Sequence, residues 1–410
     1  MFPYSIVTIK RTLRAGIDRC SSLGAVLTGG RAGYGRPVVA GFHRTPSGIG
    51  ESARLCHQAL THLGYAPAAL DLSPRYLPHD LMALPGADVV SCDGDGPLIL
   101  HVNPPELPSV IRYLGWRMVR RRCLIGYWAW ELPRMPDQWR FALRLVREIW
   151  VPSRFCAEAI RPHTHKPVRI VPHPLAPFSG RPDRQGFGLP AGAFIALTVA
   201  DLRSSLARKN PLGAVAAFRH AFGTSSDHRL VLKIGGVLGN EAAFAGVAAA
   251  VAGMTNVHLL AEALPDDRMA SLMASVDVVV SMHRSEGFGL VIAQAMQAGK
   301  PVIASDWSGS TDFLDSDTGL PVPVRLIAVD DAQGRYLSAQ GQVWADPDID
   351  VAADCLRALA ADPALAASIG ARAQAHIANR LSSATYQMAL GEAFHAHSSP
   401  PEAAMSTSTP

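Results

Sequence analysis

Residues 281–305 read SMHRSEGFGLVIAQAMQAGKPVIAS, and no other stretch constrains the fold as tightly. An apolar run ends in a polar loop holding Glu286, Gly287 and Gly289. An amphipathic helix pattern follows at once, then Gly299, Lys300, Pro301 and a second apolar run, VIAS. Strand, loop, helix and strand in that order is one turn of a parallel α/β sheet. The loop and helix start bring a carboxylate, permissive backbone and free amide hydrogens to one point. That combination suits a polyhydroxylated, anionic ligand such as a nucleotide sugar.

The rest of the chain repeats the alternation. Residues 36–42 (RPVVAGF) read as the first buried strand, 51–63 as a helix ending at Gly64, and AALDL as the second strand. Further short strands are expected at 88–91, 97–102, CLIGYWAW and EIWVPS, with a helix around 138–147 between the last two. VRIVPHPL closes the first half. Residues 176–189, rich in Pro and Gly, read as a linker. AFIALTVAD, RLVLKIGG, NVHLL, VDVVVSM and PVIAS are strands of a second series, with an Ala-rich helix at 241–252 and a last helical pattern at 384–395. The expected fold is α/β, with two doubly wound parallel-sheet domains of Rossmann type. The domains expected are 36–175 and 190–380, with a leader over 1–35, read as disordered or as a weak membrane-surface segment, and a Ser/Pro/Thr-rich disordered tail over 396–410.

Composition removes several classes. At 410 residues and 48% hydrophobic the chain has room for two globular domains. The net charge of +4 is small, and no basic stripe with interleaved aromatics stands out, so nucleic acid is not an expected partner. Cys20, Cys56, Cys92, Cys123, Cys156 and Cys355 are scattered without CxxC spacing, which fits a reducing compartment and argues against zinc. No run of about 18 apolar residues is present, so no spanning helix is expected.

The 281–305 stretch resembles the donor site of retaining glycosyltransferases with the GT-B fold, specifically glycosyltransferase family 4. Those enzymes carry two glutamates separated by seven residues within EGFGL…EAMA.G.PV. Glu286 matches the first; Gln294 stands where the second is expected. The resemblance implies that Glu286 contacts the transferred sugar and that position 294 meets the ribose. Gln294 keeps an acceptor and adds donors without the charge. Gly287, Phe288, Gly289 and Leu290 would line the donor, and Ser310 and Thr311 in SGSTDFL would close on its sugar or phosphate. Residues 201–211 (DLRSSLARKNP) would supply the diphosphate grip. Lys209 is the expected lysine, and Arg203 or Arg208 the arginine, the spacing leaving the choice open. Such cations stabilise a departing diphosphate and make a metal dispensable. Lys233, interrupting an apolar strand, is a further candidate for the phosphates.

Residues 47–52 (SGIGES) superficially match a dinucleotide fingerprint with Asp71 downstream, but HRTPS separates the strand from the first glycine. The family has a glycine loop here facing the donor, so Gly48 and Gly50 are assigned to donor binding; a plain helix cap is the alternative. Residues 125–139 (IGYWAWELPRMPDQW) offer Trp128, Trp130 and Glu131 to an acceptor, the tryptophans being equally suited to core packing. His101 and Asn103 follow LILHVN and are assigned to the acceptor; His173 in VPHPL is a weaker candidate.

The resemblance implies two domains facing across a cleft, the C-terminal helix (381–395) crossing back to the first. It implies transfer of a hexose-type sugar from a nucleotide diphosphate sugar, without a cofactor or metal, to a hydroxyl of a glycan or lipid-linked glycan in cell-envelope or exopolysaccharide synthesis. The setting expected is cytoplasmic, and the resemblance admits peripheral association with the inner membrane. A catalytically degenerate binding scaffold, supported by Gln294, and an NAD-dependent oxidoreductase using SGIGES remain as rival readings.

Overall fold

The computed structural model describes residues 35–77, 94–334, 336 and 339–395. The strand expected at 88–91, nearly all of the leader, and the tail lie outside the described residues.

Contacts divide the chain into two compact units, the first drawn from residues 1–130, 135–176 and 383–410. Its strands are β1 (Val38–Gly41), β2 (Ala68–Asp71), β3 (Leu98–Leu100), β4 (Leu124–Tyr127), β5 (Glu148–Val151) and β6 (Val168–Ile170). They pair in parallel in the order β2-β1-β3-β4-β5-β6. β1, β3 and β4 are buried along their whole length, as continuous apolar runs covered on both faces must be. Helix α1 (Gly48–His62) starts where the Ser47 side chain accepts from the Gly50 amide, and Gly64, at φ +84°, turns the chain away after it. Helix α2 (Leu107–Val119) and helix α3 (Arg154–Ile160) complete the alternation. Residues 137–144 form a 3-10 helix rather than the α-helix expected around 138–147. It follows Pro136 and must deliver the chain to β5 at Glu148, a gap that the faster-rising 3-10 turn spans with fewer residues.

The second unit comprises residues 131–134 and 177–382. It holds β7 (Phe194–Asp201), α4 (Pro211–Phe222), β8 (His228–Gly235), α5 (Glu241–Ala250), β9 (Val257–Leu260), α6 (Asp266–Ser275), β10 (Val278–Ser281), α7 (Leu290–Gln297), β11 (Val302–Ser305) and β12 (Leu320–Val322). The parallel sheet runs β12-β11-β10-β7-β8-β9. Read from β9 this is the doubly wound dinucleotide-type order, with its switch point between β7 and β10. An antiparallel hairpin, β13 (Val324–Ala328) with β14 (Val343–Pro347), follows, then helices α8 (Ile349–Ala361) and α9 (Pro363–Arg380). The hairpin had no counterpart in the sequence reading.

Two further stretches complete the units. Most of the stretch read as a linker packs on the second unit: Arg184 forks onto Asp277 with both contacts at 2.8 Å, and the Asp183 amide bonds the Ser275 hydroxyl at 2.7 Å. Helix α10 (Ser383–His395) belongs to the first unit, where the Tyr386 hydroxyl donates to Cys56 Sγ on α1 at 3.2 Å and Leu390 is buried.

Candidate functional site

The carboxyl ends of β7 and β10 flank the switch point, and the loops leaving them are bound together. The Arg284 amide donates to the Arg208 carbonyl at 2.7 Å, and Arg284 Nη1 reaches the Ala207 carbonyl at 2.7 Å. Asn210, in a left-handed conformation at φ +47°, joins the single helical turn of residues 206–209 to α4. Its side chain caps α4 by accepting from the Gly213 amide and donates to the Met282 carbonyl beyond β10 at 2.8 Å. The 206–209 turn thus has one seat, and it aims Arg208 and Lys209 at the loop after β10.

Both meet Glu286. Lys209 Nζ lies 2.6 Å from Glu286 Oε1, and Arg208 Nη1 lies 3.1 Å from Oε2. Burial opposes the charge on Glu286, but Lys209, Arg208 and then His283 outweigh it and hold its pKa down to about 2. Arg208 is itself buried, which opposes its charge, yet Tyr336, Glu286 and Glu131 together raise its pKa. Its Nη1 also donates to the Ser285 carbonyl and its Nη2 to the Ser204 hydroxyl, each at 2.6 Å, and Glu131 Oε1 stands 3.8 Å away. A buried charge this well bonded is held in one geometry.

The rest of the Glu286 loop is fixed from β11. The Ser308 hydroxyl accepts from the Glu286 amide at 2.8 Å, and the Gly309 amide donates to the Glu286 carbonyl at 2.9 Å. A Cβ on Gly309 would lie 2.3 Å from the Gly287 carbonyl oxygen, so only glycine permits this approach. Gly289, at φ +99° and three residues after Glu286, then opens α7, whose first amides have no partner within the helix. Phe288 packs on Phe313 at 5.0 Å. Leu290 and Gln294 are half-buried one turn apart on α7. Ser310 Oγ sits 3.2 Å from Nε2 of the fully buried His283, and the Thr311 hydroxyl is turned back onto the Ser308 carbonyl. His283 Nδ1 is buried without a hydrogen-bond partner. Burial pushes the ring's pKa down to about 4, against the pull of Glu286.

Other candidates fall elsewhere. Arg203, the other arginine expected at the diphosphate, bonds Asp201, with Nη2 at 2.5 Å from Oδ2. Of the two arginines, Arg208 is the one bonded beside Lys209 at Glu286. Lys233 is buried, its pKa lowered by burial, and its ammonium turns to the Ile234 carbonyl at 3.4 Å. Gly48 and Gly50 belong to the first unit; a Cβ on Gly50 would meet the Phe42 carbonyl at 2.6 Å, whereas Gly48 has open space. Trp128, read as a possible acceptor platform, is wholly buried over Gly126, and Trp130 packs on Trp139 at 4.7 Å. Both rings are core rather than exposed stacking faces. His101 is likewise fully enclosed, bonded to the Ser52 hydroxyl at 2.8 Å and stacked on Tyr127, whose own hydroxyl meets His173 Nδ1 at 3.1 Å. Asn103 accepts from the Ala129 amide, holding the strand exit before Trp130.

Glu131 groups with the second unit. The Tyr336 hydroxyl donates to its Oε2 at 3.3 Å, while Asp331 and Gln333 accept from Ser205 and the Leu206 amide. Gln342 pairs with both the amide and the carbonyl of Arg134, at 2.9 Å each. The connection between β13 and β14 therefore braces the arginine-bearing turn. Sequence reasoning missed Tyr336, His283 and Gly309. Only the last had a local signal, a glycine between two serines just beyond a strand end.

Two cations and a carboxylate thus meet at the switch point of a doubly wound sheet, in one of the two such domains of a GT-B fold. The model of family 4 glycosyltransferases in conflict systems matches residues 153–385, more than half of the chain, and the chain belongs to that family. A D-inositol 3-phosphate glycosyltransferase of Acidothermus cellulolyticus is 28% identical over 189 residues, covering 44% of this chain and 42% of that protein. The D-rhamnosyltransferase WbpZ of Pseudomonas aeruginosa is 37% identical over 78 residues, 18% of this chain and 20% of its own. The matched stretches thus span less than half of either relative. Anabaena Alr3699/HepE, solved in complex with UDP and glucose, superposes with a TM-score of 0.62 at 14% identity, over 87% of this chain and 98% of that one. At that identity the likeness establishes the fold.

Proposed function

We propose that this chain transfers a hexose-type sugar from a nucleotide diphosphate sugar to a hydroxyl of a glycan or lipid-linked glycan, with retention at the anomeric carbon. The observation that carries the reading is the convergence of Lys209 and Arg208 on Glu286 beside the start of α7. The diphosphate would lie against Lys209, Arg208 and the first amides of α7, where charge on the leaving group is stabilised as it builds. Glu286, held ionised, would accept hydrogen bonds from sugar hydroxyls and keep the two cations aligned. Gln294 would meet the ribose as a neutral hydrogen-bonding group.

In the transfer, the bond from the anomeric carbon to the phosphate oxygen breaks and the bond to the acceptor oxygen forms on the same face. The acceptor's proton passes to the departing phosphate. The two side-chain cations supply the positive charge that a metal would otherwise bring, and the proposed reaction runs without one. The related proteins matched include an inositol-phosphate glycosyltransferase and a rhamnosyltransferase, which supports transfer of a sugar to a hydroxylated acceptor; the proposed setting is cell-envelope or exopolysaccharide synthesis.

Thermal-shift binding of UDP, GDP, ADP and dTDP sugars tests this. One nucleotide sugar should stabilise the protein, and Lys209→Ala and Arg208→Ala should each lose most of that shift. A folded protein that no nucleotide sugar stabilises would instead be a binding scaffold on a transferase fold.

A further inference from the structure

The residue before Gly309 is held in a conformation that serine seldom takes. Ser308 opens the 3-10 turn Ser308–Asp312 after β11, with φ at +70°. Among the described residues the other non-glycine residues at positive φ are Ala66 and Asn210. Asparagine tolerates the left-handed region, and Asn210 caps α4 from it; for serine the same backbone is strained, and glycine would carry it freely. What a glycine would lack is the hydroxyl. Ser308 Oγ, in a residue only 6% exposed, donates to the Trp307 carbonyl at 2.6 Å and accepts from the Glu286 amide at 2.8 Å. With its one hydrogen committed to Trp307, the oxygen offers only lone pairs to Glu286. The next residue, Gly309, donates its amide to the Glu286 carbonyl. Residues 308 and 309 thus hold both polar groups of the Glu286 main chain.

We infer that Ser308 is a positioning residue, keeping a strained backbone so that its hydroxyl can hold Glu286 against the transferred sugar. The inference rests on the transferase reading above. In the ligand-free site Lys209 and Arg208 hold the Glu286 carboxylate. A diphosphate takes hydrogen bonds from those same cations, so once the donor is bound they are shared. The main-chain grip from residues 308 and 309 is not shared with the donor, and it then decides where the carboxylate points. Ser308 therefore acts on the sugar and leaves the diphosphate alone. Strained backbone collects at ligand-binding sites, where the surrounding packing over-determines it.

Affinities of UDP and UDP-glucose, and of GDP and GDP-mannose, measured by calorimetry on the full chain, test this. Whichever pair binds the parent, Ser308→Ala should weaken the sugar nucleotide about tenfold, the worth of one hydrogen bond, and leave the free nucleoside diphosphate unchanged. Ser308→Gly loses the same hydroxyl but relieves the strain. It should weaken the sugar nucleotide equally and unfold at a higher temperature than Ser308→Ala. In Glu286→Ala protein, removing the hydroxyl should cost sugar-nucleotide affinity nothing further. Affinity that survives both substitutions would overturn the inference, as would losses that follow unfolding temperature rather than the hydroxyl, or an equal loss for the free diphosphate. A folded parent that binds neither pair would instead sink the transferase reading, and this inference with it.

Discussion

Lys209 Nζ and Glu286 Oε1 lie 2.6 Å apart although 77 residues separate them in the chain. The pair exists because β7 and β10 are neighbours in the sheet, so the loops leaving their carboxyl ends share one place. Arg208 joins from the other carboxylate oxygen. The three side chains form one unit in which the two cations keep the Glu286 carboxylate ionised.

That unit predicts unequal costs for its two cations. Arg208 has a side chain only 4% exposed, bonded to Ser285 and Ser204 as well as Glu286, whereas the Lys209 side chain is 22% exposed. Arg208→Ala strips a buried carboxylate of one partner and opens a void, and should cost about 3 kcal/mol of stability. Lys209→Ala should cost about 1 kcal/mol, since water can reach the vacated place. Urea unfolding would rank them; equal costs would mean that Arg208 is not held as described.

Acid should unfold the protein from an unusually high pH. Burial lowers the pKa of His43 and His101, and takes His173 to about 3 and His283 to about 4. A histidine kept neutral in the fold but free to protonate when unfolded contributes stability above its ordinary pKa of about 6.5 and loses it as pH falls towards the folded value. Glu286 acts lower down: its depressed pKa contributes above the ordinary carboxylate range and is lost as pH falls through about 2. Stability measured between pH 7 and pH 4 should therefore fall steadily, and His283→Gln should flatten part of that slope. A flat profile over this range would show that these rings are not buried neutral.

The turn of β10, Glu286 and α7 was legible in the sequence because every one of its signals is local: an apolar strand, a glycine loop, a helix period. Arg203 and Arg208 could not be separated that way. Which of them meets Glu286 depends on Asp201 engaging Arg203 and on the 206–209 turn aiming Arg208 inward, both results of packing. Trp128 looked like a sugar platform, but a Cβ on Gly126 would sit 2.6 Å from its Nε1, and the missing side chain is what lets the ring fold flat into the core. Tyr336 was out of reach altogether, since its partner Glu131 is 205 residues away and the hairpin carrying it has no strong period.

Two glycines should respond unequally to alanine. In Gly309→Ala the new methyl would meet the Gly287 backbone, which cannot step aside without dragging the Glu286 loop. The variant should lose about 2 kcal/mol of stability and most nucleotide-sugar affinity. Gly48→Ala meets nothing within 4 Å and should leave stability within about 0.5 kcal/mol of the parent. If Gly48→Ala nonetheless weakened donor binding, the glycine loop before α1 would gain direct support as a donor contact. Paired thermal and binding titrations decide both points.

Tyr336 offers the finest test of the site. Its hydroxyl holds Glu131 Oε2 at 3.3 Å, while the other oxygen of that carboxylate stands 3.8 Å from Arg208 Nη2, outside hydrogen-bond distance. Without the hydroxyl, Glu131 is free to close on Arg208 and compete with an incoming diphosphate for the guanidinium. Tyr336→Phe should therefore raise the donor KM about fivefold, the worth of about 1 kcal/mol, with kcat little changed. Removing the competing charge as well, in Tyr336→Phe with Glu131→Gln, should restore the donor KM. A fall in kcat at unchanged KM would place Tyr336 in the transfer step itself rather than in setting the charge that Arg208 presents to the donor.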